Sequence, residues 1–146
     1  MTEIQKIYRG MQNGAETIDD NFKKVNSKVD QIIAGDLPKG KMMAKTGFTV
    51  NDNSWYRVKN GTLQISCVGI SITSSVPSGA WKDVCSLNGA ASINSTGDTT
   101  ITIMNGNNAN YIGARARVVN GVLRILPEST ITPTQYMNDF IMLPVD

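Results

Sequence analysis

The sequence has no histidine among its 146 residues. This absence removes the side chain that most often serves as a general base, as a zinc ligand or as the base of a catalytic triad. Nucleophile motifs and phosphate-binding loops are missing as well, and the spacing of the acidic residues gives no support to a glycosidase pair of carboxylates. We therefore predict a protein that is not an enzyme and that holds no metal and no cofactor.

Cysteines, net charge and long apolar runs are equally sparse. Cys67 and Cys85 lie in separate apolar segments without a CxxC spacing, which favours buried free thiols in a protein made in a reducing cytosol. The net charge of +2 indicates neither nucleic acid nor a membrane surface as a partner. No apolar run approaches the roughly 18 residues of a membrane span, and no signal-peptide pattern opens the chain. We expect no membrane insertion.

The residues that are present fall into two parts of different composition. Residues 1–46 are rich in charged side chains, whereas residues 47–146 are rich in Gly, Asn, Ser, Thr, Val and Ile, as is typical of a β domain. The change predicts four segments: a docking segment at 1–12, a stem helix at 13–34, a linker at 35–46 and a β head at 47–146. The docking segment is apolar at several positions, so we expect it to bind another protein or the adjoining subunits.

The stem helix is predicted from a start signal, an apolar seam and a stop signal. Asn13 and Glu16 have the spacing of a capping box, and Gly35 followed by Pro38 marks the end. Between them an apolar seam with alternating four- and three-residue steps predicts a coiled coil, in which β-branched d residues favour a trimer. The alternative is an amphipathic helix packed on its own domain. The seam consists of Ala15, Ile18, Phe22, Val25, Val29 and Ile32.

The head is predicted to be mainly β. Asn60-Gly61 and Asn120-Gly121 each stand between two segments in which apolar and polar residues alternate. This arrangement is the strongest short-range sequence signal for a β-hairpin. About eight short strands in about 100 residues favour an antiparallel β-sandwich or jelly-roll-like head. The strands expected outside the two hairpins are Phe48–Val50, Ile70–Thr73, Ala80–Leu87, Thr99–Met104 and Tyr136–Leu143.

The second hairpin is expected to place three arginines on one face. A two-residue turn fixes the register, so Arg117 would lie opposite Arg124, with Arg115 on the same face. Directly opposed like charges are destabilising by up to about 1 kcal/mol unless an anion or a carboxylate lies between them. Arginine suits bidentate binding of phosphate or carboxylate, so this face is a candidate site for an anionic ligand. The alternative is ion pairing within or between chains with Asp83, Asp98 or Glu128.

The first hairpin is expected to place Trp55, Arg57, Gln64 and Ser66 on its outer face. Trp55 beside Arg57 and Gln64 could stack on a sugar ring and hydrogen-bond its hydroxyls, or it could be covered by a loop or a neighbouring subunit. Trp81 is predicted to be a core residue, because it stands an even number of positions from the apolar residues of its strand and should point to the same side of the sheet.

Residues Ile7–Phe22, with the core Asn-Gly-Ala-Glu-Thr-Ile, resemble the opening of lower-baseplate receptor-binding proteins of lactococcal tailed phages. The segments Gly79–Leu87 and Ala114–Ile125 resemble phage tail-fibre tip domains. The resemblance implies a homotrimer in the virion, at the tail tip or baseplate, that is assembled in the host cytoplasm. Its N-terminal segment would dock to a baseplate protein, its helices would form the bundle, and its heads would bind a host cell-wall (phospho)polysaccharide.

Two other functions remain open at this point. The chain could be a structural baseplate or tail-fibre subunit whose head binds another phage protein, or a polysaccharide depolymerase. The family examples use His, Asp and Trp on the hairpin that carries Arg115, Arg117 and Arg124 here. The role of this hairpin can therefore be carried over, but individual contacts cannot.

Overall fold

The computed structural model describes residues 13–34, 36–105 and 108–145, without the side chains of residues 28–34 and 105–110. The predicted docking segment at 1–12 lies outside the described residues. The described chain forms one helix, α1 (Gly14–Ala34), and twelve strands. The strands are β1 (Leu37–Gly40), β2 (Met42–Ala44), β3 (Phe48–Val50), β4 (Trp55–Lys59), β5 (Thr62–Ser66), β6 (Ile70–Ile72), β7 (Lys82–Leu87), β8 (Thr99–Asn105), β9 (Asn108–Val119), β10 (Val122–Pro127), β11 (Gln135–Met137) and β12 (Phe140–Pro144).

The helix begins where the sequence predicts. The carbonyl of Asn13 accepts the first intrahelical bond from the Thr17 amide at 3.0 Å. This bond makes Asn13 the N-cap residue. The helix continues to Ala34, and Lys23 pairs with Asp19 one turn away at 2.6 Å. No helix within the described residues is long and apolar enough to cross a membrane.

The strands form two antiparallel sheets around one apolar core. The smaller sheet has the order β1-β4-β5-β12, and the larger has the order β2-β7-β10-β9-β8-β11-β6-β3. Strand residues alternate between buried and exposed in both sheets, so each sheet presents one face to the core and one outward. The prediction of a mainly β head with antiparallel sheets is confirmed.

The larger sheet curls back on itself. β2 and β3 are its two edge strands, although only residues 45–47 separate them in the chain. In a flat sheet with strands about 4.8 Å apart, these edges would lie about 34 Å from each other. The four backbone steps from Ala44 to Phe48 span at most about 14 Å. The two edges therefore come together, and the Phe48 amide closes the turn on the Lys45 carbonyl at 3.1 Å.

Both Asn-Gly turns form as predicted. Asn60 and Gly61 have φ of 52° and 68°, and Asn120 and Gly121 have φ of 50° and 67°. These are the left-handed pairs that a two-residue hairpin turn requires. The hairpins keep the predicted registers. The apolar residues of the second hairpin that were assigned to the core are all fully buried, namely Ala114, Ala116, Val118, Leu123 and Ile125.

Two segments differ from the prediction. The proposed linker at 35–46 contains β1 and β2, which pair with β4 and β7 and so belong to the head. The proposed strand Tyr136–Leu143 is two strands in different sheets: β11 pairs with β6 and β8, whereas β12 pairs with β5. Between them the Asp139 carbonyl accepts a bond from the Cys67 amide at 2.8 Å, which anchors the crossing from one sheet to the other.

Candidate functional site

The three arginines of the second hairpin lie together on the outer face of the larger sheet, and we call them the arginine face. Arg117 on β9 stands directly opposite Arg124 on β10, as predicted, and Arg115 lies two residues along β9. The predicted repulsion is relieved by carboxylates of the same chain. Nε of Arg124 donates to Asp83 Oδ1 on the neighbouring strand at 2.7 Å, and Nε of Arg115 donates to Asp98 Oδ2 at 3.1 Å.

Arg117 has no such carboxylate within the described part of the chain. Its guanidinium lies over the ring of Trp81, with Cζ 4.0 Å from the ring centroid, and its Nε is buried without a hydrogen-bond partner. Arg115 approaches the same ring at 5.8 Å. Asp83 and Asp98 pair with Arg124 and Arg115, so Arg117 is the arginine of this face that no carboxylate of the described residues pairs. A guanidinium that no carboxylate pairs can bind an anionic group through charge-assisted hydrogen bonds from its terminal nitrogens, since its Nε is buried.

Trp81 was predicted to be a core residue, and this prediction is wrong. The pairing of β7 with β10 changes between Leu123, which opposes Cys85, and Arg124, which opposes Asp83. The extra residue is Val84, which is buried next to the buried Cys85. An extra residue of this kind exchanges the two sides of the sheet for the residues of the strand that come before it. Trp81 therefore lies on the outer face with Asp83. The adjacent apolar pair Val84-Cys85 is the sequence signal that could have revealed the bulge.

A shallow depression adjoins the arginine face at the turn of the second hairpin. It has a volume of about 280 Å³ and is lined by Asp83, Val119, Asn120, Val122 and Arg124. The Asn120 amide donates to Asn94 Oδ1 at 2.8 Å, so the turn is held in place. The depression is large enough for a small polar group beside the Arg124–Asp83 pair.

The predicted residues of the first hairpin lie on the outer face of the smaller sheet, away from the arginine face. Nε of Arg57 donates to Gln64 Oε1 at 2.6 Å. The Trp55 ring lies 4.1 Å from Nζ of Lys39 and meets Phe140 edge to face, with 5.7 Å between ring centroids. The structure therefore does not join the two groups of predicted site residues into one site.

Ser66 lies on the outer face, as expected, but it is buried there. It stands between Trp55 and Phe140 on the central strand of this face, where the two large rings converge over its small side chain. Its hydroxyl donates to the Asn53 carbonyl at 3.2 Å. This bond satisfies the buried oxygen, as buried polar groups require.

The apolar seam of α1 is open to solvent where it is described. Ile18 is 43%, Phe22 64% and Val25 43% exposed, so the head of the same chain does not cover them. Ala15 is exposed as well, and the side chains of Val29 and Ile32 lie outside the described residues. An exposed apolar seam of this kind is typical of a surface that meets another molecule.

The two cysteines are free and buried, as predicted from their apolar surroundings. Burial raises the pKa of Cys85 to about 12, and it raises the pKa of Cys67 well above its ordinary value. Both are therefore protonated thiols at neutral pH. Within residues 13–34, 36–105 and 108–145, no group of three acidic or cysteine side chains could hold a metal ion.

No protein-family model and no curated protein matches the chain. Among solved structures, it is similar to the head domain of lactococcal phage bIL170, which is described with the receptor-binding domains of lactococcal phages. The TM-score is 0.60, the sequence identity is 11%, and the likeness covers 75% of this chain and 99% of that chain.

The chain shares its fold with the bIL170 head domain. At 11% identity the likeness shows the fold and does not identify site residues. A fold can carry many different sites, so the site has to be argued from the residues of this chain.

Proposed function

We propose that this protein is a receptor-binding subunit of a tailed phage and that its head attaches to a host cell-wall polysaccharide. The observation that carries the proposal is the likeness of the head to the bIL170 head domain, with a TM-score of 0.60 over nearly the whole of that domain. Attachment needs recognition without chemistry. We therefore propose a protein without catalysis, located in the virion at the tail tip or baseplate.

The arginine face is the proposed receptor site. Its exposed donors and its one unpaired cation favour an anionic saccharide, with phosphate or carboxylate groups bound by Arg117 and flanked by Arg115 and Arg124. Trp81 holds the Arg117 guanidinium from below, so the side chain has little freedom to lose when an anion binds. Charge-assisted hydrogen bonds of this kind contribute about 1.5–3 kcal/mol each.

We propose that the protein acts as a homotrimer, joined through α1 and docked to a baseplate protein through residues 1–12. The exposure of Ile18, Phe22 and Val25 supports the trimer. A helix as short as α1 with an open apolar seam gains its stability from partner helices. Three heads on one stem raise the overall affinity above that of a single head, because the second and third sites bind at high effective concentration once the first is bound.

A second candidate is a structural baseplate subunit whose head binds another phage protein. The observation that favours it is the exposed apolar surface of the smaller sheet, where Phe140 is 52% and Met142 is 59% exposed on adjacent outward positions of β12. Such a surface suits a protein partner as well as a saccharide.

The experiment that separates these candidates is binding of the fluorescently labelled full chain to a panel of Gram-positive strains, lactococci included. Receptor binding predicts decoration of at least one strain, loss of decoration after periodate oxidation of the cell wall, and no loss after protease treatment. Decoration of no strain, combined with capture by a purified baseplate, would favour the structural role.

Two variants test the site itself. Arg117→Ala is expected to weaken cell binding by about tenfold or more per head, the equivalent of one charge-assisted bond. Lys59→Ala removes an exposed cation from the smaller sheet and serves as the matched control, with binding unchanged. Equal binding by both variants would show that the arginines have a structural role and do not bind the receptor.

The absence of catalysis has its own test. Isolated cell walls from a decorated strain are incubated with the protein, and the release of reducing ends is measured. We expect none above the level of a heat-denatured sample, and a clear release would identify a depolymerase.

A further inference from the structure

A second cleft lies beside Trp55. It has a volume of about 180 Å³ and runs between the segment Lys39–Met42 and the loop that joins β3 to β4, with Trp55 as one wall. It is separate from the arginine face, because Trp55 belongs to the smaller sheet and Trp81 lies on the outer face of the larger one. We call it the Trp55 groove.

The loop that forms one wall of the Trp55 groove is held rigidly. Asn51 Oδ1 accepts a bond from the Asn53 amide at 2.9 Å, and the Ser54 amide donates to the Asn51 carbonyl at 3.1 Å. The Ser54 hydroxyl donates to the Val68 carbonyl at 2.6 Å. The Asn51 side chain also lies against Gly69, whose φ of 89° and lack of a Cβ leave the space that the amide fills. The wall is therefore formed before any ligand arrives.

The polar groups of the groove are available to a ligand. Lys41 Nζ and Asp52 Oδ1 are 3.6 Å apart across the groove, and their side chains are 86% and 97% exposed. So exposed an ion pair contributes little stability and can exchange its bonds for others. Nζ of Lys39 lies over the Trp55 ring and lines the same groove. Donors, a carboxylate and an aromatic ring thus converge on one small space.

We infer that the Trp55 groove is a second carbohydrate site, which binds one sugar unit through neighbouring hydroxyls. A carboxylate accepts two hydroxyl bonds at once, so Asp52 can bind a pair of adjacent hydroxyls while Lys39 and Lys41 donate to ring or hydroxyl oxygens. Trp55 lines the groove and carries the Lys39 ammonium over its ring, which positions this donor, and Phe140 packs against the same ring. Only the choice of ligand class rests on the proposed function.

The two sites have different chemistry. The carboxylates beside the arginine face are bonded to Arg115 and Arg124, so that face offers only donors to a ligand and suits an anionic group. The Asp52 carboxylate of the groove is 97% exposed and can accept hydroxyl bonds, so the groove suits a group that donates as well as accepts. A polymer with charged and neutral units can contact both, and the two contacts on one head would raise its affinity through effective concentration.

The test uses the two tryptophans of the chain, one at each site. In the full-length protein labelled with ¹⁵N-tryptophan, each indole N–H gives one NMR signal per site. The probes are the methyl glycosides of glucose, galactose, rhamnose and N-acetylglucosamine, titrated one at a time. We expect at least one of them to shift the Trp55 signal saturably and to leave the Trp81 signal in place.

Asp52→Ala is expected to weaken that titration about tenfold, as the loss of a charged hydrogen-bond acceptor would. Lys59→Ala, an exposed substitution on the same sheet, should leave it unchanged. A Trp55 signal that moves with none of the four glycosides overturns the inference, and so does an equal titration in Asp52→Ala. Arg117→Ala separates this result from the proposed function, because it should weaken cell decoration about tenfold or more and preserve the Trp55 titration.

Discussion

The two Asn-Gly turns have the same backbone conformation but different surroundings, and this difference allows a quantitative prediction. Gly61 and Gly121 have φ of 68° and 67°. Alanine at either position is therefore strained by a left-handed conformation that costs about 1 kcal/mol. A Cβ on Gly61 would meet nothing within 4 Å. A Cβ on Gly121 would overlap the carbonyl of Ala90, with Ala91 Cα 2.9 Å away.

The turn at Gly121 cannot move aside without loss. Its amide donates to the Ile93 carbonyl at 2.8 Å, and its carbonyl accepts from the Leu87 amide at 2.7 Å. Backbone displacement would break one or both bonds, at about 1 kcal/mol each. We therefore expect Gly61→Ala to cost about 1 kcal/mol and Gly121→Ala about 3 kcal/mol, which correspond to losses in Tm of about 4 °C and about 12 °C.

The assay is urea and thermal unfolding of the full chain at one fixed protein concentration, followed by tryptophan fluorescence and circular dichroism. The fixed concentration matters because association of the chain would raise its apparent stability. Equal losses for the two variants would contradict this prediction, since they would show that the loop at Ala90 does not restrict the second hairpin.

Three further predictions concern the stem, Trp81 and the thiols. Phe22→Ser should convert the trimer into monomers, as measured by size-exclusion chromatography with light scattering. Asp20→Ser, on the opposite side of the helix, should not. A monomeric unmodified protein would contradict the assignment of α1 as a trimer stem. Trp81→Leu should lower stability by about 1 kcal/mol and weaken cell binding several-fold, because the guanidinium over the ring loses its support; unchanged binding would show that this support is not needed. Burial raises the folded-state pKa of both Cys67 and Cys85 above the unfolded value near 9. The contribution of the two thiols to stability should therefore be constant below pH 9 and should fall as the pH rises toward 12, with a smaller fall after replacement of both by alanine.

Local signals in the sequence were sufficient for the elements whose structure is set by near neighbours. The Asn-Gly turns fixed both hairpins, because few residues other than Asn and Gly accept the required φ. The opposition of Arg117 and Arg124 followed from the turn length alone. The start of the helix at Asn13 followed from its capping signal.

Features that depend on distant contacts could not be predicted in the same way. β1 and β2 are only 4 and 3 residues long, and they become strands because β4 and β7 offer free edges to them. The bulge at Val84 moved Trp81 from the predicted core to the outer face, and parity arguments fail wherever one residue is added. The assignment of β11 and β12 to different sheets likewise depends on tertiary contacts, and no local sequence pattern predicts it.

The partners of the arginines illustrate the boundary between the two kinds of feature. Asp83 and Asp98 were possible partners from the sequence, but so was Glu128, whose carboxylate lies instead against Gly113. Only the three-dimensional register decides which carboxylate reaches which guanidinium. The cation that remains without a carboxylate in the described part of the chain, Arg117, is the residue on which the proposed receptor site depends.

Saccharide binding by the head is tested most directly by calorimetric titration of the protein with cell-wall polysaccharide purified from a decorated strain. We predict saturable binding by the unmodified protein and by Lys59→Ala, and a loss of about tenfold or more in Arg117→Ala. Absence of heat and of saturation with the polysaccharide of every decorated strain would contradict the proposal that this head recognises a saccharide.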